Sequence, residues 1–132
     1  MEHTAAGFRA LSRVSAIPGC IGVIDGWLCP IRVPRSNECG RVTAFFSGHY
    51  QRYGLNVQAC ADYSCRFTAM SCRAPGGRND CVAYMQWSLS RVLREIRGPY
   101  FVIGDNAYQQ TRVVLTPFNQ AQDQIAIYTT FI

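Results

Sequence analysis

Two short apolar, β-rich runs each end on an aspartate: CIGVIDG with Asp25 and YFVIGDNAY with Asp105. A run of this kind that stops at a carboxylate puts it at the C-terminal edge of a sheet. In α/β folds that edge is where ligands and metals sit. The two aspartates are 80 residues apart and point to a shared divalent-metal site. Mg2+ takes hard oxygen ligands, commonly one or two carboxylates together with water and substrate phosphate. Two such ions about 3.5–4 Å apart can activate a water or 3′-hydroxyl and stabilise the leaving oxygen of a phosphodiester. A pair of ions normally needs a third carboxylate. Asp123, the one acid after Asp105, lies in a polar, unpatterned stretch and is a poor candidate.

The elements that must position these acids read as follows. Residues 4–15 suit a short helix capped by Thr4, and Cys20–Trp27 a first strand that CPIRVP either prolongs or pairs with. Leu55–Ala61 reads as a second strand, with Val57 and Ala59 alternating against Asn56 and Gln58. A turn at Tyr63–Ser64 joins it in a hairpin to a third strand in CRFTAMSCRA, and PGGRND is a loop. Cys81–Arg97 predicts one helix, with Val82, Met85, Leu89, Val92, Leu93 and Ile96 on an apolar face and Gly98-Pro99 as its stop. Tyr100–Gly104 is a fourth strand, and Gln109–Leu115 reads as helical. The order β-β-β-α-β combines hairpins with one crossover, so the sheet is mixed.

Composition narrows the classes. A chain of 132 residues with 48% hydrophobic content is long enough for one domain with a real core. It has no apolar run of membrane-spanning length and no basic n-region before an apolar h-region, so neither a transmembrane span nor a signal peptide is expected. The seven cysteines are an odd number without a C-x-x-C pair, and with only His3 and His49 they complete no zinc spacing. An intracellular, reducing compartment is the expectation. The net charge of +5 comes from arginine alone, without a single lysine, and arginine forks suit phosphate.

Several ungapped blocks, in order and at matching spacing from about Phe8 to Phe118, carry a family resemblance. PGCIGVIDGWLCPI followed by Pro34, HYQRYGLNVQACAD, RFTAMSCRAPGGRND, FVIGDNAY and LTPF together resemble the DDE-type endonucleases of the PIF/Harbinger transposase group, relatives of the IS5-like transposases. The resemblance implies a ribonuclease-H-like α/β fold in a single domain over residues 1–132, with flanking helices and incomplete at both ends. It implies Mg2+- or Mn2+-dependent cleavage and strand transfer of nuclear DNA. Asp25 and Asp105 become catalytic acids and metal ligands, and Asp80 an accessory acid. The family's third acid is a glutamate on a later helix, a position past Ile132, and its upstream helix-turn-helix region has no room here. The expectation is therefore a truncated, inactive or impaired core, acting with a separate Myb-like or helix-turn-helix DNA-binding protein if it acts at all. A non-catalytic DNA- or protein-binding fragment and a decayed relic are the alternatives.

Plainer roles compete residue by residue. Asp25 and Asp105 can be turn residues beside Gly26 and Asn106, and Asp80 opens a helix where an N-cap is the default. His49, Tyr50 and Arg52 can contact nucleic acid or simply pack beside the sheet. Trp27 and Trp87 read as packing residues, and Arg91, Arg94 and Arg97 as a solvated helix face, with a track for the DNA backbone as the alternative. A haloacid-dehalogenase-type phosphatase needs acids where the chain has Trp27 and Gln109. No glycine-rich phosphate loop supports a nucleotide cofactor.

Overall fold

In the computed structural model, which describes residues 1–12, 15 and 17–117, six strands form one mixed sheet and three helices flank it. This is the ribonuclease-H-like α/β architecture that the order of elements predicts. Strand β1 is Cys20–Pro30, and alternation sorts its side chains: Cys20, Gly22 and Ile24 are buried, whereas Val23, Asp25 and Trp27 are exposed. It is prolonged into CPIRVP as far as Pro30, because pairing with β3 (Arg52–Ala61) continues antiparallel from Val23↔Ala61 to Pro30↔Gly54. Asp25 therefore sits inside a strand and does not close it. A two-residue strand β2, Phe46–Ser47, pairs with the start of β3.

β3 and β4 (Phe67–Pro75) form the expected hairpin. Asp62 holds its turn: Oδ1 accepts from the Ser64 and Arg66 amides, and Oδ2 takes the Arg66 guanidinium at 3.0 and 2.8 Å. That guanidinium keeps the Asp62 carboxyl below its ordinary range. Cys65 completes the turn in the left-handed region, at φ 59°. Cys65→Gly is accordingly expected to stabilise by about 0.5 kcal/mol, the relief of Cβ strain outweighing the added chain entropy. A lower melting temperature would contradict this.

The expected single helix is two. α2 (Asp80–Gln86) and α3 (Ser88–Glu95) are separated by Trp87, whose backbone is extended at φ −79°, ψ 135°. Trp87 is buried, and the Ser90 hydroxyl donates to its carbonyl at 2.8 Å. The break rotates the apolar face, so Met85 and Val92 are exposed while Ala83, Tyr84, Trp87, Ser90 and Leu93 go inward. A large indole seated in the core outweighs the continuity that helical spacing suggested.

β5 (Phe101–Ile103) runs parallel to β1, with Val23 level with Ile103. Gln109–Leu115 is not helical. Val114–Leu115 forms β6, parallel to β5, where Val102 donates to the Val113 carbonyl and Gly104 to that of Leu115. Val113 and Val114 are both buried, a gain the adjacent strand offers and a solvated helix would not. The core joins Ile24, Cys60, Val102, Val113 and Val114 of the sheet region to Tyr84, Trp87 and Leu93 of α2 and α3, with Tyr108 closing one end. Helix α1, Glu2–Leu11, begins after Met1 without a side-chain cap, and Thr4 lies within it. It docks through Phe8, edge-on to Tyr63. The far end of the expected 4–15 helix falls partly on residues 13 and 14, outside the described residues, as does Asp123.

Candidate metal and nucleic-acid site

The parallel β1–β5 ladder brings Asp25 and Asp105 to one place. Each lies two residues beyond the Val23–Ile103 pair, so both leave the same end of that ladder. Together with Asp80 they line an open cavity of about 580 Å³. One oxygen of each carboxylate is already engaged. Asp25 Oδ1 accepts from the Gly26 amide at 2.7 Å, and Asp105 Oδ1 from the Ala107 amide at 2.9 Å. Asp80 Oδ1 takes the side-chain amides of Asn56 and Gln58 at 2.9 and 2.8 Å. No Oδ2 of the three accepts a hydrogen bond among the described residues.

Asp80 is not the N-cap of α2. Asn79 takes that role, its Oδ1 accepting from the Val82 amide at 2.9 Å. Asp80 stands one residue further on, where the first turn of a helix favours a negative charge, and its side chain lies against the glycine face of β1. A Cβ on Gly26 would collide with Asp80 Oδ1 and Gln58 Nε2.

Asn56 and Gln58 were expected opposite a buried Val57 and Ala59, yet all four are buried. The two amides support the acidic site. Gln58 Nε2 also donates to Asn56 Oδ1, and the Tyr108 hydroxyl donates to Gln58 Oε1, each at 2.8 Å. Burial first, then the nearby charges of Asp80, Asp25 and Asp105, raises the Tyr108 phenol far above its usual range. It therefore stays protonated and fixes the orientation of the Gln58 amide. Two polar residues in an otherwise apolar strand were the available signal for this network. Tyr108, 50 residues away in sequence, gave none.

The loop between β4 and α2 forms another wall. Gly76 donates to Gly54 O and Gly77 to Ala44 O, both at 2.9 Å. A Cβ on Gly76 would stand 2.6 Å from Gly54 O, so the backbone itself must yield. Gly76→Ala is expected to cost about 1–3 kcal/mol, read in a thermal melt. A neutral result would mean the loop docks less closely.

His49 and Tyr50, packed edge to face at 4.7 Å, also line the cavity. Arg52 lines a separate groove with Phe46 and Tyr53. Trp27, read as a packing residue, is 40% exposed and lies beside Phe67. Arg91, Arg94 and Arg97 are exposed, as a solvated face requires.

The donor chemistry is of the kind a hard divalent cation takes: carboxylate oxygens of Asp25 in β1 and of Asp105 just beyond β5, both facing one open cavity. Among the described residues, no three acidic, histidine or cysteine groups are drawn together as a ready-made metal cluster.

A mixed sheet with this strand order and pairing defines the class of the protein as ribonuclease-H-like. The family model described as DDE superfamily endonuclease matches residues 24–128, and the chain belongs to that family. No curated protein and no solved structure matches it. DDE superfamily endonucleases act on DNA and generally use divalent metals. No helix among the described residues is long and apolar enough to cross a membrane.

Proposed function

We propose that this chain is a metal-dependent DNA endonuclease core of the PIF/Harbinger transposase-derived branch. Asp25 and Asp105 serve as metal ligands and catalytic acids, and Asp80 as an accessory acid. The observation that carries the reading is the common exit of Asp25 and Asp105 from the β1–β5 ladder onto one cavity. Mg2+ or Mn2+ bound there supplies polarisation of the phosphodiester and acidifies water for in-line attack. The Gly26 and Ala107 amides fix one oxygen of each ligand and so aim the other. Asp80, held by two amides, adds negative charge that favours the cation. His49 and Tyr50 contact the sugar-phosphate backbone at the cavity wall, and Arg52 contacts DNA that extends past it. The acting unit is residues 1–132 as a single domain, in the nucleus, with a Myb-like or helix-turn-helix protein supplying site recognition.

Two-ion displacement requires a third carboxylate in the position of the family's glutamate. Asp25, Asp80 and Asp105 line one cavity, but among the described residues no three such groups stand close enough to hold one ion, so the expected cleavage is weak or absent. The same observation favours a second reading, a fragment that binds DNA or a protein without cutting. Nicking of supercoiled plasmid in Mg2+ or Mn2+ separates the two. Slow nicking that EDTA stops and Asp25→Ala abolishes supports the enzyme. Retained DNA binding without nicking supports the binder.

A further inference from the structure

A cavity walled by three carboxylates repels the phosphodiester it is proposed to receive, unless a cation meets that phosphate at the entrance. Arg78 is the one arginine among the cavity's described lining residues. We propose that its guanidinium grips a non-bridging phosphate oxygen of the DNA strand at this site and positions that phosphate over Asp25 and Asp105. The inference rests on the DNA-cleaving reading above.

The backbone around Arg78 is tied down on every side. Its amide donates to Pro75 O and its carbonyl accepts from Asn56 Nδ2, both at 2.9 Å. The amide bonds of Gly76 and Gly77 hold the preceding residues, and the Asn79 cap holds the following one. The Asn56 amide group that accepts this load also donates to Asp80, so Arg78 and Asp80 share one support. The side chain is exposed, and its guanidinium makes no hydrogen bond or ion pair among the described residues. Three arginines have local partners, with Arg66 clamping Asp62, Arg32 meeting Glu38 and Arg112 donating to the Arg94 carbonyl. What sets Arg78 apart from the other arginines unpaired among the described residues is its place on the cavity. A guanidinium on a rigid base beside acids it does not pair with is suited to an external anion. Its planar fork can place two N–H groups on one phosphate.

Binding of the full chain to a fluorescein-labelled DNA duplex, in EDTA over a KCl series, tests this. Arg78→Gln is compared with Arg91→Gln, which removes the same charge from the exposed face of α3. Arg78→Gln is expected to weaken binding about 10-fold and to make the slope of log K against log[KCl] shallower by about 0.9. Arg91→Gln should stay within about twofold of wild type, since no contact is assigned to it. Arg78→Lys is expected to restore the slope but only part of the affinity. Equal losses in the two glutamine variants would overturn the inference in favour of diffuse positive charge, and an unchanged Arg78→Gln would overturn it outright. If the expected Arg78 effect appears while nicking never does, the contact stands and the cleavage reading falls. Metal-dependent nicking with an indifferent Arg78 gives the reverse.

Discussion

Asp25→Asn and Asp105→Asn are each expected to lower Mn2+ affinity by more than the roughly 10–100-fold that follows loss of a metal site's outer-shell partner. Each substitution preserves shape and removes the charge. In both residues Oδ1 is held by a main-chain amide, so the lost negative charge is felt at the open oxygen where a cation would bind. Asp25 is exposed, and the side-chain oxygen of an asparagine there can still accept from the Gly26 amide, so the melting temperature of Asp25→Asn should hold within about 2 °C of wild type. That contrast between binding and stability is what marks a ligand. Mn2+ titration by calorimetry reads the first quantity and a thermal melt the second. Any nicking activity should vanish with either substitution. Variants that bind Mn2+ like the wild type would remove these two residues from the metal site.

The second large effect is expected at Gln58, which is 1% exposed and joins three partners. Gln58→Leu fills similar space but removes the acceptor of the Tyr108 hydroxyl and one of the two amides on Asp80 Oδ1. A buried hydroxyl left without a partner costs about 1–3 kcal/mol, and the lost donor to a carboxylate a similar amount. The total, about 2–6 kcal/mol, corresponds to a fall of roughly 7–22 °C in melting temperature for a domain of this size. Tyr108→Phe should recover part of the loss when combined with Gln58→Leu, because it removes the orphaned hydroxyl. A double variant no more stable than Gln58→Leu would show that Tyr108 finds another partner. Mn2+ affinity should also fall in Gln58→Leu, since Asp80 then loses half of its support.

Much of this was legible in the sequence because the relevant forces are local. The β1 run around Asp25, the β3–β4 hairpin, the β5 run before Asp105 and the loop glycines each follow from alternation, turn chemistry and chain punctuation. The parallel pairing of β1 with β5 follows from the intervening helical crossover. Local pattern failed where burial competed with it. Cys81–Arg97 has the spacing of one helix, but Trp87 goes to the core and breaks it. Gln109–Leu115 has no strong pattern, and Val113 and Val114 became sheet because β5 offered them burial and hydrogen bonds. The strand of Asp25 runs on to Pro30 because β3 continues beside it, which settles whether CPIRVP prolongs the strand or pairs with it, a choice the sequence left open.

The candidate site divides in the same way. Which residues carry negative charge, and that two of them follow apolar, β-prone runs, the sequence by itself determined, since charge and β-propensity belong to individual residues and their neighbours. That Asn56, Gln58 and Tyr108 support Asp80, and that Arg78 stands at the cavity while Arg52 does not, were decided by the tertiary structure alone. These depend on distances between residues 20 to 50 positions apart, and such distances exist only once the sheet has set its register.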